Sequence, residues 1–331
     1  MDEFTGLPDL ASRAFGGGVV YANDEFFAAA DHLVLPAPAG HAPKTFDHKG
    51  QVYDGWETRR RREAGHDVAI IRLGAPGVVH GINVDTAFFT GNYPPQASVE
   101  AVSLPGYPGR EELEAAEWTE LVPRSDLKGD SGNLFPVANR RRWTHVRLRI
   151  FPDGGVARLR VHGEVVPDPA LLPKTFDVAA AQYGATVVDC SNMFYGNPQR
   201  MLMPGLAQNM GDGWETSRRR DDGNDWVLVK LAAPAVLRFA DLDTSHFKGN
   251  APGWARLTGR DERTGSGEWI ELLPRVALRP DTPHRFPIAK ALGKGPEVTH
   301  VRLDIFPDGG MARLRLLGRA SRAYLHARMS G

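Results

Sequence analysis

Asp54-Gly55-Trp56-Glu57-Thr58-Arg59-Arg60-Arg61-Arg62 is written again, almost letter for letter, at Asp212-Gly213-Trp214-Glu215-Thr216-Ser217-Arg218-Arg219-Arg220. The offset, from 54 to 212, is about half of the 331 residues, so the chain is a tandem repeat of one unit. Each copy compresses a Trp, two carboxylates and an arginine run into one loop, a mixture that no core needs and a polar ligand can use. Outward from this stretch the offset holds. Residues 66–73 recur at 224–231, Asp85-Thr86 recurs as Asp243-Thr244, and Phe89-Thr90-Gly91-Asn92 as Phe247-Lys248-Gly249-Asn250. It shortens before Trp118, which matches Trp269, so the first copy holds a longer loop, placed at the acidic stretch 110–114.

The apolar pattern has the period of strands. Residues 66–73 form one strand, which Gly74-Ala75-Pro76-Gly77 is expected to end, and a further strand from Val78 carries Ile82 and Val84 on one face and delivers Asp85-Thr86. Near the end of the first unit Val146, Leu148 and Ile150 alternate with Arg147 and Arg149. Pro152-Asp153-Gly154-Gly155 turns the chain, and Ala157, Leu159 and Val161 alternate with Arg158 and Arg160. The spacing predicts a β-hairpin with an Asp-Gly turn and one arginine-covered face, repeated around Pro307-Asp308-Gly309-Gly310. One apolar face per strand must be buried against a second sheet, so the class is all-β: two tandem β-sandwich repeats, for which a jelly-roll topology is chosen over an immunoglobulin-like one, although the pattern does not give strand order. The first spans 1–165 with a polar lead-in over 1–15, the second 166–331 with a tail over 318–331 that is either a short helix or disordered. With 36 Gly and 25 Pro the chain is punctuated too often for long helices.

Forty basic and forty acidic residues cancel, which removes the field expected of a nucleic-acid partner or an anionic membrane surface. No apolar run approaches the roughly 20 residues of a membrane span. The acidic start Met1-Asp2-Glu3 lacks the signature of a secretory signal, and the lone Cys190 fits a reducing compartment, so a cytoplasmic protein is expected.

Glu57 and Glu215, between a Trp and an arginine cluster, are candidates for general acid or base; Asp54 and Asp212, each before Gly, default to turn roles. Arg60, Arg61, Arg62 and Arg218, Arg219, Arg220 suit a small anion, because a guanidinium grips a carboxylate through two parallel hydrogen bonds. Asp85 and Asp243 end apolar strands, with Asn92 and Asn250 in the loops that follow. The copies differ where Phe88 becomes His246 and Thr90 becomes Lys248. Trp56 and Trp214 are read as packing residues, and His145 and His300 as buried histidines bonded to backbone. No zinc pattern, phosphate loop, dinucleotide fingerprint or nucleophile elbow is present, so no cofactor or metal is expected, although isolated acids leave a weakly held divalent ion open. These residues alone describe a double β-sandwich that binds or processes a small, anionic, hydrogen-bond-rich molecule.

The two Asp-Gly-Trp-Glu loops, Asp85-Thr86 through Asn92-Tyr93-Pro94-Pro95, Asp243-Thr244 through Asn250, and the doubled Phe-Pro-Asp-Gly-Gly turns together resemble the allantoicase family over about 15–318. The resemblance implies galactose-binding-like jelly rolls, a homo-oligomer, and hydrolysis of allantoate to (S)-ureidoglycolate and urea in allantoin degradation. For such a substrate, with one carboxylate and two ureido arms, the residues themselves suggest a carboxylate clamp from Arg60, Arg61 or Arg62, acid–base work by Glu57 or Asp85, and a ureido arm oriented by Asn92. The second-copy set is Glu215, Arg218, Arg219, Asp243 and Asn250, with His246 and Lys248 in addition. The competing readings are a non-catalytic tandem ligand-binding module and a ureido-processing enzyme acting on ureidoglycolate.

Overall fold

The computed structural model describes residues 3–265, 267–288 and 295–330; the extreme ends of the lead-in and tail lie outside them. The chain divides into two compact units, Met1–Val166 and Pro167–Gly331. Each is a β-sandwich built on one long strand.

In the first unit that strand is Asp67–Asp85, 19 residues. Its first half pairs with Gly18–Ala22 on one edge and Arg142–Phe151 on the other, and the latter continues to Gln96–Val102 and Thr119–Asp126. Its second half pairs with Arg158–Val165 and Gly132–Pro136. Alternate residues of both halves point into one shared core, where Ile71, Ile82, Val99, Leu148, Leu159 and Trp143 are buried. The second unit repeats the plan on Asp225–Asp243, flanked by Thr186–Cys190, Val298–Phe306, Arg313–Ala320 and Pro283–Pro287.

Three expectations change. Residues 74–77 do not end a strand: the strand runs through them and passes from one set of partners to the other, with an irregularity between Arg72 and Gly77. Here Gly serves close approach, since a β-carbon on Gly74 would stand 2.4 Å from the backbone nitrogen of Gly17. The runs flanking Asp153 are not a hairpin, because Arg142–Phe151 and Arg158–Val165 pair with opposite edges of the long strand rather than with each other. Alternation and an Asp-Gly turn are equally compatible with both arrangements, and the length of the third strand decides between them. Nor is there one arginine-covered face, since Arg158 is 1% exposed.

The acidic insertion is a short helix, Arg110–Ala115, seated by buried Leu113. Beyond the last strand the tail forms the helix Arg322–Ser330. The lead-in belongs to the fold: Leu10 and Ala11 are fully buried, and Leu10 N–H donates to Val161 O at 2.7 Å.

Candidate functional site

Three motifs far apart in sequence meet at one end of each sandwich, and a phenylalanine holds them. Phe89 is fully buried against Gly55 of the Asp-Gly-Trp-Glu loop and Gly155 of the Pro-Asp-Gly-Gly turn, with Tyr53 stacked on it at 4.8 Å. A β-carbon at Gly55 or Gly155 would stand 2.7 or 2.0 Å from its ring, which is why both motifs carry glycine there. Trp56-Glu57 pairs with Gly155-Val156, and Gly155 N–H donates to Asn92 O at 2.7 Å. Phe247, Gly213, Gly310, Glu215 and Asn250 repeat this in the second unit.

The carboxylates at the centre have matching partners. Asn92 Nδ2 donates to Glu57 Oε1 at 2.7 Å, and Asn250 Nδ2 to Glu215 Oε1 at 2.6 Å. Burial pushes the Glu57 carboxyl above the usual range, and the Asn92 hydrogen bond offsets part of that rise. Among the described residues Glu57 Oε2 has no hydrogen-bond partner.

The arginine run splits by role. Arg61 Nη1 is paired to buried Asp67 at 2.7 Å and its backbone N–H to Asp153 at 2.8 Å; Arg219 does the same with Asp225 at 2.9 Å and Asp308 at 2.8 Å. These two fasten the loop to the sandwich. Arg60, Arg62, Arg218 and Arg220 are exposed and make no hydrogen bond or ion pair among the described residues. Asp85 and Asp243 cap the turns after their strands, accepting from Ala87 N–H at 2.9 Å and Ser245 N–H at 2.8 Å. Lys248 is exposed, 4.0 Å from Asp281.

His246 sits at positive φ (72°), and its Nε2 donates to Ala207 O at 3.0 Å. In the first unit Phe88 holds the same backbone position at φ 67° and stacks with His41 at 4.8 Å, so each copy brings an imidazole to this corner from a different element. Trp56 and Trp214 are fully buried, each Nε1 bonded to a backbone carbonyl. His145 and His300 are buried too, but their Nδ1 atoms meet the hydroxyls of Thr144 and Thr299 at 2.8 and 3.0 Å rather than backbone; burial brings the His145 imidazole down to about 4, with Arg72 adding to the effect. Among the described residues no three His, Cys, Asp or Glu side chains gather as a metal site, and no helix is long and apolar enough to cross a membrane.

The family model for the allantoicase repeat matches residues 8–166 and 176–321. A probable allantoicase of Nocardia farcinica is 56% identical over 318 residues, 95% of each chain, and one of Ralstonia nicotianae is 45% identical over 94% of each. The crystal structure of allantoicase from Saccharomyces cerevisiae superposes with a TM-score of 0.79 at 34% identity, covering 95% of this chain and 93% of that one. The chain belongs to the allantoicase family.

Within this allantoicase frame two residues were missed by the sequence reading, Arg158 and Arg313, taken as part of a surface stripe. Both are buried beside the Asp-Gly-Trp-Glu loops: Arg158 Nη1 donates to Asp54 O at 3.1 Å and Arg313 Nη1 to Asp212 O at 2.7 Å. The available signal was that each occupies the same position of its repeat, three residues after the Gly-Gly turn's second glycine.

Proposed function

We propose that this protein hydrolyses allantoate to (S)-ureidoglycolate and urea, in allantoin degradation. The observation that carries the reading is the pair of identical glutamate–asparagine sites, Glu57 with Asn92 and Glu215 with Asn250, each flanked by exposed, unpaired arginines. Allantoate bears one carboxylate and two ureido arms on one carbon. The site therefore has to attract an anion, accept ureido N–H groups and move a proton.

Arg60, Arg62, Arg218 and Arg220, with Lys248, supply positive potential at the mouth and draw the anion in. Asn92 and Asn250 spend their N–H on glutamate, so their carbonyl oxygens accept from a ureido arm. Glu57 and Glu215 activate water or protonate the departing urea, and in the first copy burial of Glu57, which raises its carboxyl above the usual range, favours that role. Asp85 and Asp243 contribute through the oxygen not used in capping, and His246 Nδ1 is a further proton acceptor in the second copy. Arg61 and Arg219 act through the loop they fasten. A cytoplasmic homo-oligomer is part of the same proposal: Cys190 is a free thiol, and Met193, Phe194 and Tyr195 form an exposed apolar run suited to burial against another copy.

The test is urea release from allantoate by the purified protein, with and without chelator, and sedimentation for the assembly. Turnover identifies the activity, its survival or loss on chelation fixes the metal requirement, and no turnover in either condition would return the ligand-binding reading.

A further inference from the structure

The two copies place an arginine at the same point of the same strand but neutralise it differently. In the first, Arg158 Nε and both η nitrogens are engaged by the carbonyls of Ala37, Pro38, Asp54 and Ala157, and Nη2 also meets the Asp54 carboxylate at 2.9 Å. Asp54 is held there by Gly40 N–H at 2.7 Å and His32 Nδ1 at 3.0 Å. That arginine is fully spent.

In the second, Arg313 is 6% exposed, and its Nε donates to Gly205 O at 3.0 Å and its Nη1 to Asp212 O at 2.7 Å and Ala312 O at 2.8 Å. No hydrogen bond or ion pair among the described residues reaches Nη2. The acid that would answer it is present, but the Asp212 carboxylate has turned away to accept Gln208 N–H at 2.7 Å. Arg315 shares Gly205 O with it, and burial followed by Arg315 pulls the Arg313 guanidinium below its usual range, with Asp212 and Asp243 offsetting part of that fall. A nearly buried guanidinium whose hydrogen bonds go to carbonyls, with Asp212 and Asp243 acting on it only through space, is left open to an anion at Nη2. The first copy answers the same arginine with Asp54, which His32 and Gly40 hold in place.

We infer that Arg313 is a carboxylate subsite of the second copy, completed by the ligand's own anionic group, whereas in the first copy Asp54 already answers the equivalent arginine and the ligand's carboxylate is left to exposed Arg60 and Arg62. The arginine sits close to the chemistry: Asp212, whose carbonyl it binds, lies three residues from Glu215, a span of at most about 11 Å. Exposed Arg218 and Arg220 then gather the anion, and Arg313 seats it. The inference deepens the allantoate reading and rests on it for the identity of the ligand, while the subsite itself is testable without turnover.

The probe is N-carbamoylglycine, which carries a carboxylate and one ureido arm, beside its neutral amide, both titrated calorimetrically into the full-length protein. The wild type should bind the acid with one tight site per chain, in the second copy, and more weakly in the first. Arg313→Gln should weaken the acid at least tenfold and leave the amide unchanged. Equal affinity for the acid, an equal loss for acid and amide, or no binding of the acid by the wild type would each overturn the subsite. Should Arg313→Gln fail to fold, Arg313→Lys, which keeps the charge but not the fork, should still lose the acid at least fivefold. A protein that binds the acid through Arg313 yet releases no urea from allantoate would overturn the activity and keep the subsite; the converse result would do the opposite.

Discussion

Gly155→Ala tests whether Phe89 really clamps the site together. The added methyl would stand 2.0 Å from Cε1 and 2.1 Å from Cδ1 of the Phe89 ring. Unstrained carbon contacts begin near 3.5 Å, so ring or backbone must move by about 1.5 Å. The ring has nowhere to go: it is fully buried, Tyr53 stacks on it, and Gly55 lies against its edge. Overpacking of a filled core costs about 1–3 kcal/mol, and this contact belongs at the upper end. For a unit of this size that corresponds to a fall of roughly 6–12 °C in its transition. Phe89→Leu alone should cost about 1–2 kcal/mol but opens room for the methyl, so the double variant should be more stable than the sum of the two by at least about 1 kcal/mol. Calorimetry of the full chain measures this, with the second unit as internal reference and Gly310→Ala as the mirror experiment. Allantoate turnover should fall with Gly155→Ala, since Gly155 N–H holds the Asn92 carbonyl and Asn92 holds Glu57. Additive energies, or a Gly155→Ala protein within about 0.5 kcal/mol of wild type, would refute the clamp.

Arg61→Ala strands the buried Asp67 carboxylate and should cost about 2–4 kcal/mol, whereas Arg60→Ala should leave the melting temperature unchanged and raise KM for allantoate at low salt; the opposite assignment of effects would show that the loop fastener was misidentified. Glu57→Gln should reduce the first copy's contribution to kcat/KM by about 10²–10⁴, best read with Glu215 also replaced and restored in turn. Asn92→Ala removes the bond that favours the ionised glutamate, so a rate limb belonging to Glu57 should move to higher pH, and a limb that stays in place would assign it to another group. Asp177, raised to about 6 by burial, supports the second unit fully below its unfolded value of 3.8 and loses that support as pH rises through 6. Asp177→Asn should therefore flatten up to about 3 kcal/mol of stability change between pH 4 and 7, and parallel wild-type and variant melts across that range would sink the assignment.

The sequence by itself determined the tandem repeat, the all-β class, the strands that bury Ile82, Leu148 and Leu159, and the loops in which Glu57, Asn92 and the arginines lie. Repetition and alternation are properties of the chain read in one dimension, and the hydrophobic effect turns them into buried faces almost regardless of partner. Partner choice was decided only by the tertiary structure. The strand through residues 74–77 continues because neighbouring backbone packs against its glycines, and the runs around Asp153 separate because the long strand offers each a different edge. Four adjacent arginines look equivalent in sequence, yet Arg61 is paired and Arg60 is not, because an Asp–Arg pair forms only where the fold brings Asp67 within hydrogen-bonding distance. Arg158 and Arg313 differ for the same reason: both copies encode the arginine and the aspartate, and a rotation of one carboxylate toward Arg158 in the first, and toward Gln208 in the second, decides which cation is left for a ligand.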